Sequence, residues 1–330
     1  MSNQRNVLIK RDLENLIKHR IGSGKAIIVL GPRQTGKTTL IKKILESEED
    51  ILMLNGDDSM EREKLETQNT ELLRHIIGQN KTVFIDEAQR IKNIGLTLKI
   101  IIDQIRPEQI FVTGSSSLEI ANEINEPITG RKWEYMLYPV SWGELQEYVG
   151  YIDAVKQLEQ RIIYGSYPDV INNKGAEKEI LTEITGSYLY KDLLSYKGIK
   201  KPEIIEKILR ALALQIGNEV SYNELASLVQ VDKNTIQTYL ELLEKAFVIF
   251  RLQPLSRNIR NEISTSRKVY FYDTGVRNAL ISNFNPLNMR NDAGALWENF
   301  LVCERKKVLE YSRIHANIYF WRTTYQQEID

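Results

Sequence analysis

The segment GPRQTGKTTL, residues 31–40, constrains the fold of this chain more than any other part of its sequence. It follows the apolar run AIIVL and leads into the helical pattern TTLIKKILES. The two glycines, Gly31 and Gly36, let the backbone curl so that its N–H groups converge at the start of the helix, where they can hold a phosphate. Lys37 and Thr38 then supply a cation and a hydroxyl, which completes the spacing of a P-loop. A glycine-rich turn with an exposed lysine is the alternative, but the position between a strand and a helix favours nucleotide binding.

Short apolar runs alternate with helical segments over the first 140 residues. The predicted strands are AIIVL (26–30), ILMLN (51–55), TVFIDEA (82–88), IFVTGS (110–115) and KWEYMLYPV (132–140). The first four are apolar enough to be buried on both faces. Because helical segments separate the strands, we expect right-handed crossovers and a parallel sheet with helices on both sides. The predicted fold class of this part is therefore α/β.

The third predicted strand carries an acidic pair, Asp86 and Glu87. At the carboxyl edge of a parallel sheet, Asp86 is suited to bind Mg²⁺ directly or through water. Glu87 is placed to polarise a water molecule against the γ-phosphate of a nucleotide. The alternative is that Asp86 and Glu87 are surface acids without a catalytic role, at the point where the strand leaves the sheet. The position one crossover beyond the P-loop favours the catalytic interpretation, and with it hydrolysis rather than nucleotide retention.

Three further candidate residues could have either a catalytic or a purely structural role. Thr113 and Ser115 lie where the fourth predicted strand ends, so a hydroxyl there could sense the γ-phosphate or the attacking water. Glycine and serine are also ordinary residues of a strand-to-helix turn. Arg131 precedes the fifth predicted strand and could reach a phosphate in its own chain or in a neighbour, as arginine fingers do. An exposed arginine beside a strand is the other interpretation.

These patterns predict three overlapping sets of site residues. The phosphates are expected to contact Gly31, Pro32, Arg33, Gln34, Thr35, Gly36, Lys37, Thr38 and Thr39. The expected Mg²⁺ ligands are Thr38 and Asp86, and the expected catalytic residues are Lys37, Glu87, Ser115 and Arg131.

Composition argues against several other kinds of site. A length of 330 residues predicts two or three domains. Lysine plus arginine and aspartate plus glutamate both number 44, so net charge argues neither for nor against nucleic acid. The single cysteine, Cys303, cannot form an intramolecular disulfide, and three widely separated histidines argue against a zinc site. No apolar run approaches the ~20 residues of a membrane span and no secretory signal begins the sequence, so a cytoplasmic location without a membrane partner is expected.

Residues 201–275 have the pattern of a winged helix-turn-helix. Ser221 and Glu224 form a capping-box pattern that opens one helix, and Asp232 is a candidate cap of the next. A helix near residues 202–216 precedes this pair, and the runs FVIFRL and KVYFYD follow it as predicted strands. The positions expected to pack the two helices together are Leu225, Leu228, Ile236, Leu240 and Leu243.

A basic segment, RLQPLSRNIRNEISTSRK at residues 251–268, spans the tip of the predicted wing. Its cations are Arg251, Arg257, Arg260, Arg267 and Lys268, against one acid, Glu262. They could contact DNA phosphates. The candidate recognition helix offers mainly Lys233, Asn234, Thr235 and Gln237. It lacks arginines for guanine edges, so duplex DNA bound weakly and without sequence preference, a solvated loop and a protein-packing surface all stay open.

The segments VLGPRQTGKTTL, VFIDEAQ, VTGSSS, TGRKWEYMLYPVSWGEL and YGSYPDV resemble those of the prokaryotic AAA-type P-loop ATPases that carry a C-terminal domain of unknown function. The resemblance continues through YLYKDLL, KVYFYDTGVRNAL and WENFLV and covers most of the chain. It implies a sheet of the additional-strand, catalytic-glutamate type, with one strand between those that carry Lys37 and Asp86. It also implies ATP rather than GTP, and a functional role for Arg131. The family's physiological substrate is largely unknown, so the resemblance does not supply one.

The last residues, YFWRTTYQQEID, resemble part of a restriction-nuclease core, in which Glu328 and Asp330 would precede a strand bearing Glu-x-Lys. That strand is missing from this sequence, so nuclease activity is not expected. Glu298 is either an upstream acid of such a core or a helix surface residue. The predicted domains are an ATPase core (1–145), a helical lid or connector (146–200), the winged helix-turn-helix (201–275) and an incomplete nuclease-like region (276–330).

The favoured function is Mg²⁺-dependent ATP binding and hydrolysis coupled to rearrangement of the winged-helix module. Two alternatives stay open: a DNA-binding regulator switched by nucleotide, and a protein-binding module without significant turnover. A homo-oligomer and a partner protein are both compatible with the sequence.

Overall fold

The apolar runs of the first 140 residues form one parallel sheet in the computed structural model. Its strands are β1 (Ala26–Leu30), β2 (Ile51–Asn55), β3 (Thr82–Asp86), β4 (Gln109–Gly114) and β5 (Lys132–Met136). The strand order is β2-β3-β4-β1-β5, and every neighbouring pair is parallel. Strand β4 therefore lies between β1 and β3, as the family resemblance implies for the inserted strand.

The structure describes residues 8–115, 128–188, 202–255, 267–322 and 328–329. The chain divides into a P-loop unit, residues 10–138, and a C-terminal unit, residues 1–9 together with 139–330. The P-loop unit ends at residue 138, and the four predicted domains and their boundaries stay predictions. None of the described helices is both long enough and apolar enough to cross a bilayer.

The interior strands carry the core of the P-loop unit. Every residue of β1 and β4 is buried, since both strands have neighbours on either side. In β2, by contrast, Leu54 is buried but Met53 is 43 % exposed. The expectation that ILMLN is buried on both faces is therefore wrong, because β2 pairs only with β3 at the edge of the sheet.

Side chains cap some helices of the P-loop unit, but not the helix that follows the P-loop. The helices are α1 (Leu13–Lys18), α2 (Lys37–Ile44), α3 (Ser59–Leu65), α4 (Thr70–Ile77) and α5 (Ile94–Ile100). Asp58 caps α3 and Asn69 caps α4, and each side chain accepts two backbone N–H groups. Helix α2 has Gly36 as its N-cap, so no side chain at that position satisfies its first N–H groups.

The C-terminal unit combines helices with a second sheet. Its helices are α6 (Trp142–Val149), α7 (Tyr151–Lys156), α8 (Leu158–Tyr164), α9 (Pro168–Asn172), α10 (Glu177–Glu183), α11 (Pro202–Leu214), α12 (Tyr222–Val229), α13 (Lys233–Lys245), α14 (Thr274–Leu280) and α15 (Ala293–Tyr311). Its strands are β6 (Glu219–Val220), β7 (Ile249–Pro254), β8 (Arg267–Phe271), β9 (Tyr319–Arg322) and β10 (Glu328–Ile329), in the order β10-β9-β7-β8-β6. Strands β7 and β8 are antiparallel, as the runs FVIFRL and KVYFYD suggest.

Helices α12 and α13 begin at the caps that the sequence supplies. The Ser221 side chain accepts the N–H of Glu224, and the Asp232 side chain accepts the N–H of Thr235. Of the five apolar positions expected between these helices, four are buried, namely Leu225, Ile236, Leu240 and Leu243. The fifth expectation is wrong, since Leu228 is 61 % exposed. The buried face of α12 is formed by Leu225, Ala226 and Val229, and Leu228 lies about 100° around the helix from the middle of that face.

Candidate functional site

Two glycines shape the P-loop for different reasons. Gly31 follows β1 with a φ of 152°, and a Cβ atom there would lie 2.2 Å from the carbonyl oxygen of Leu137. Only glycine therefore fits where this loop passes the chain that follows β5. Gly36 has a φ of 90° and lies at the N-cap of α2, where a Cβ atom would meet nothing within 4 Å. The loop thus turns into α2 beside open space, which is a geometry that accommodates an anion.

Lys37 is the buried cation of this loop. It is 4 % exposed, and its Nζ donates to the carbonyl oxygens of Gly31 at 3.0 Å and Pro32 at 2.8 Å. The Thr35 hydroxyl also donates to the Pro32 carbonyl, at 2.8 Å. The backbone of the P-loop therefore surrounds the ammonium group of Lys37. The remaining predicted phosphate contacts are half-buried or exposed: Arg33 and Gln34 in the loop, and Thr39 on α2.

Arg11 supports the loop, although no sequence pattern predicts this role. Its guanidinium donates to the Thr35 carbonyl at 2.7 Å and to the Tyr138 carbonyl at 2.6 Å, and the residue is 6 % exposed. This arginine therefore ties the P-loop to the chain beyond β5. Both acceptors are backbone carbonyls, which carry no side-chain signature, so no motif could have indicated the contact.

Thr38 and Asp86 are in contact at the carboxyl edge of the sheet, where the parallel strands end. The Thr38 hydroxyl lies 3.0 Å and 2.9 Å from the two carboxylate oxygens of Asp86. Thr113 also donates to this carboxylate through its hydroxyl. A hydroxyl beside a carboxylate is the kind of oxygen donor set that Mg²⁺ prefers, so these residues fit the expected cation.

The backbone of Glu87 adopts an unusual conformation next to this pair. Its φ is 50°, in the left-handed region that non-glycine residues seldom occupy. Its N–H donates to the Thr113 hydroxyl at 3.3 Å. Gly56, just after β2, donates its N–H to the Asp86 carbonyl at 2.8 Å, and a Cβ atom on Gly56 would lie 2.4 Å from the Glu87 carbonyl oxygen. The turn after β3 is therefore held from both neighbouring strands.

The half-buried Glu87 carboxylate belongs to a hydrogen-bond network with the buried residues Gln89 and Ser115. Its Oε2 accepts a hydrogen bond from the Ser115 hydroxyl at 3.1 Å and another from the Gln89 amide. The Gln89 Nε2 is also 2.9 Å from the Ser115 hydroxyl, and the Ser115 N–H donates to the Gln89 Oε1 at 3.3 Å. Gln89 and Ser115 are 6 % and 3 % exposed. Glu87 and Ser115 are predicted site residues, whereas the sequence predicts no role for Gln89, the last residue of VFIDEAQ.

Arg131 lies at the amino edge of the sheet, where the parallel strands begin. Its carbonyl accepts the N–H of Ala26 at 2.9 Å, at the start of β1, whereas the P-loop follows the end of that strand. From Ala26 to Gly31 the chain advances about 16 Å at the usual rise of a strand. The guanidinium pairs with Asp103 at 2.7 Å, and the side chain is 40 % exposed. The structure thus does not bring Arg131 to the phosphate-binding loop of its own chain, and an approach from a neighbouring chain stays a prediction.

Two cations of the basic segment 251–268 form ion pairs with acidic residues of the protein itself. Arg251 pairs with Glu244 and donates to the Tyr222 hydroxyl, and its side chain is 9 % exposed. Burial disfavours its charged form, but the interactions with Glu244 and Tyr222 together outweigh burial and raise the pKa of Arg251. Lys268 is 3 % exposed and pairs with Glu298 at 3.1 Å. The expectation that these two side chains could contact DNA phosphates is therefore wrong. Arg257, Arg260 and Glu262 lie outside the described residues.

Glu298, the candidate upstream acid, is engaged on α15. It accepts hydrogen bonds from Lys268 and from the Tyr270 hydroxyl, and its side chain is 23 % exposed. Glu298 is therefore a partly exposed helix residue whose carboxylate is already paired. Glu328 lies in β10, which pairs antiparallel with β9, and Asp330 lies outside the described residues.

Comparison with known families matches two segments of the chain. Residues 23–146 match the AAA domain family, and residues 155–287 match a domain of unknown function, DUF8612. An uncharacterized protein of Methanocaldococcus jannaschii is 26 % identical over 324 residues, which cover 91 % of this chain and 70 % of that protein. An uncharacterized protein of Mycobacterium tuberculosis is 25 % identical over 331 residues, which cover 97 % of this chain and 70 % of that protein.

Comparison with solved structures supports the fold. A Walker-type ATPase of Pyrococcus abyssi aligns with a TM-score of 0.55 and 15 % identity, over 85 % of this chain and 98 % of that chain. At this identity the likeness concerns the fold alone. Together with the parallel sheet and the AAA domain match, it gives the P-loop unit the α/β fold of P-loop ATPases.

Proposed function

We propose that this chain, whose residues 23–146 form an AAA-type P-loop domain, binds ATP with Mg²⁺ and hydrolyses it to ADP and phosphate. One observation carries the proposal. A buried P-loop lysine, a hydroxyl–carboxylate pair and a separately anchored glutamate converge at the carboxyl edge of one parallel sheet. Phosphate binding alone would not need the anchored glutamate.

The P-loop supplies the phosphate contacts in this proposal. The backbone N–H groups around Gly36 have no side-chain cap, so they are suited to receive phosphate oxygens at the start of α2. Lys37 would exchange its carbonyl acceptors on Gly31 and Pro32 for β- and γ-phosphate oxygens. Pro32, Arg33, Gln34, Thr35 and Thr39 complete the proposed set of contacts.

Thr38 and Asp86 would hold the cation, Thr38 directly and Asp86 directly or through water. Bound Mg²⁺ would neutralise charge on the β- and γ-phosphates and orient them for in-line displacement. Thr113 keeps the Asp86 carboxylate in place by donating to it from β4.

Glu87 would act as the general base. It would accept a proton from the attacking water as the water oxygen bonds to the γ-phosphorus. The bond from that phosphorus to the β–γ bridging oxygen breaks, and ADP leaves with the electron pair. The Ser115 hydroxyl lies 3.1 Å from the Glu87 carboxylate, so it is close enough to orient the same water. Arg131 would contribute to this site only from a neighbouring chain.

The second part of the proposal is that nucleotide state rearranges the C-terminal unit, with α11 to α13 and β6 to β8 acting as a winged helix. The capped pair α12 and α13 and the antiparallel strands β7 and β8 support that arrangement. Because Arg251 and Lys268 are already paired, the described residues favour a protein-packing role over DNA binding.

A phosphate-release assay with and without Mg²⁺, repeated with added duplex DNA, tests the proposal. We expect Mg²⁺-dependent release above the background of the Lys37→Ala variant. Release equal to that background would overturn the catalytic assignment. Strong stimulation by DNA would favour the DNA-binding alternative over protein packing.

A further inference from the structure

The Gln89 side chain contacts the Glu87 carboxylate directly. It lies on the short 3₁₀ turn of residues 88–90, directly after the left-handed Glu87. This turn brings the Gln89 amide back onto the Glu87 carboxylate two residues earlier. The side chain is 6 % exposed, so solvent does not compete for the bond.

The two ends of the Gln89 amide are used in different ways. Its Nε2 donates to the Glu87 Oε2 and lies 2.9 Å from the Ser115 hydroxyl, while its Oε1 accepts the Ser115 N–H at 3.3 Å. The amide therefore joins the turn after β3 to the end of β4. Aspartate or asparagine would be one methylene shorter, and a carboxylate would lack the donor.

The Glu87 carboxylate is held by one oxygen only. Its Oε2 receives the Gln89 amide and the Ser115 hydroxyl, whereas its Oε1 has no hydrogen-bond partner among the residues that the structure describes. A general base needs one oxygen to accept the proton in a fixed direction. Two donors on the other oxygen fix that direction. A latch that blocks the base would instead occupy both oxygens.

We infer that Gln89 is a positioning residue of the hydrolytic site, which anchors Glu87 Oε2 so that Oε1 faces the attacking water. The inference rests on the proposed ATPase function. Gln89 has no titratable group and acts through Glu87, so its loss lowers the rate of the chemical step but leaves nucleotide affinity unchanged. Misplacing a catalytic group by about 1 Å can cost 100-fold, so a fall in kcat of about 10- to 100-fold is expected.

Steady-state kinetics of Gln89→Ala and of the nearly isosteric Gln89→Glu test the inference. Both variants should lose kcat and keep KM and fluorescent-nucleotide affinity, which also shows that they fold. Gln104→Ala is the matched control, because this exposed glutamine also bonds through its side chain, to Thr70, away from the site. It should retain full turnover.

A double-mutant cycle with Glu87→Gln separates positioning from other roles. If Gln89 acts only through Glu87, adding Gln89→Ala to Glu87→Gln should not lower the residual rate further. A further loss in the double variant, an unchanged kcat in both single variants, or a rise in kcat overturns the inference while leaving the ATPase proposal intact. No Mg²⁺-dependent release by the wild-type chain overturns both.

Discussion

The Thr38 hydroxyl lies 3.0 Å and 2.9 Å from the two carboxylate oxygens of Asp86. This contact joins the first turn of α2 to the last residue of β3. A P-loop hydroxyl and a strand-end carboxylate are thereby held together by the protein itself. The proposed cation site is a preorganised pair of ligands on two rigid elements, so its loss should affect cation binding more than phosphate binding.

Replacing Thr38 by valine tests that separation. Thr38→Val keeps the shape of the side chain and removes its hydroxyl, so Lys37 and the backbone N–H groups still hold the phosphates. We expect nucleotide affinity in Mg²⁺ to fall about 10-fold or more, the scale for a disturbed metal site. Affinity in EDTA should stay at the wild-type value. Fluorescent-nucleotide titration under both conditions measures the difference, and an equal loss in both would place Thr38 at the phosphates instead.

Substitutions of Lys37 and Glu87 should affect nucleotide binding and ATP turnover separately. Lys37→Ala removes the buried ammonium group that the P-loop surrounds, and we expect it to abolish nucleotide binding. Glu87→Gln keeps the size of the side chain but cannot accept a proton, so it should bind ATP while turnover falls by about 100-fold or more. Equilibrium binding and phosphate release on the same preparations check both results. Turnover retained in Glu87→Gln would remove Glu87 from the role of general base.

Arg131 should act between chains if it acts at all. It lies at the amino edge of β5 and pairs with Asp103, away from the P-loop of its own chain. If a neighbour supplies it, activity per chain should rise with protein concentration. Mixing Arg131→Ala with Glu87→Gln should restore some turnover, since one interface then combines an intact Glu87 with an intact Arg131. Activity that is independent of concentration, with no rescue in the mixture, would leave Arg131 with its structural pair to Asp103.

Gly56 should be needed for the turn that carries Glu87. Its Cβ would lie 2.4 Å from the Glu87 carbonyl oxygen, a backbone atom that cannot rotate away. We expect Gly56→Ala to destabilise the protein by about 1–3 kcal/mol, the usual cost of overpacking, and to lower turnover. Gly294→Ala is the matched control, because a Cβ there meets nothing within 4 Å. Chemical denaturation of both variants measures the contrast, and equal stability would mean that the turn yields easily.

The fold of the P-loop unit could be predicted from sequence wherever a local pattern determines it. Runs of five or six apolar residues are long enough for one strand, and the P-loop marks the end of β1 and the start of α2. Burial was harder to predict. Met53 is exposed because β2 is an edge strand, and Leu228 is exposed because the face of α12 that packs is narrower than the leucine spacing suggests.

The supporting residues of the site could not be found in the same way. Arg11 acts on backbone carbonyls of two distant segments, and Gly56 matters only because β2 brings it against the turn after β3. Gln89 contacts Ser115, which lies 26 residues away in sequence. Each of these roles follows from strand order rather than from spacing along the chain.

Binding of duplex DNA, if it occurs, should depend on at most three cations of the segment 251–268. Arg251 and Lys268 are buried in ion pairs, which leaves Arg257, Arg260 and Arg267 for phosphates. Three phosphate contacts give a slope of log affinity against log salt of about −3 for duplex DNA.

Replacing both Arg257 and Arg260 by alanine should flatten that slope by about two units, whatever the sequence of the duplex. Arg74→Ala is the control for the loss of a surface charge, since Arg74 is an exposed cation on α4, far along the chain from the basic segment, and it should leave the slope unchanged. Titration of fluorescent duplexes of unrelated sequence across a salt series measures all three proteins. A preference for one duplex that survives high salt would contradict phosphate-only contact and favour a sequence-reading regulator. No binding at low salt would instead favour the protein-packing role, because the two buried cations in the described part of the segment already form ion pairs with Glu244 and Glu298.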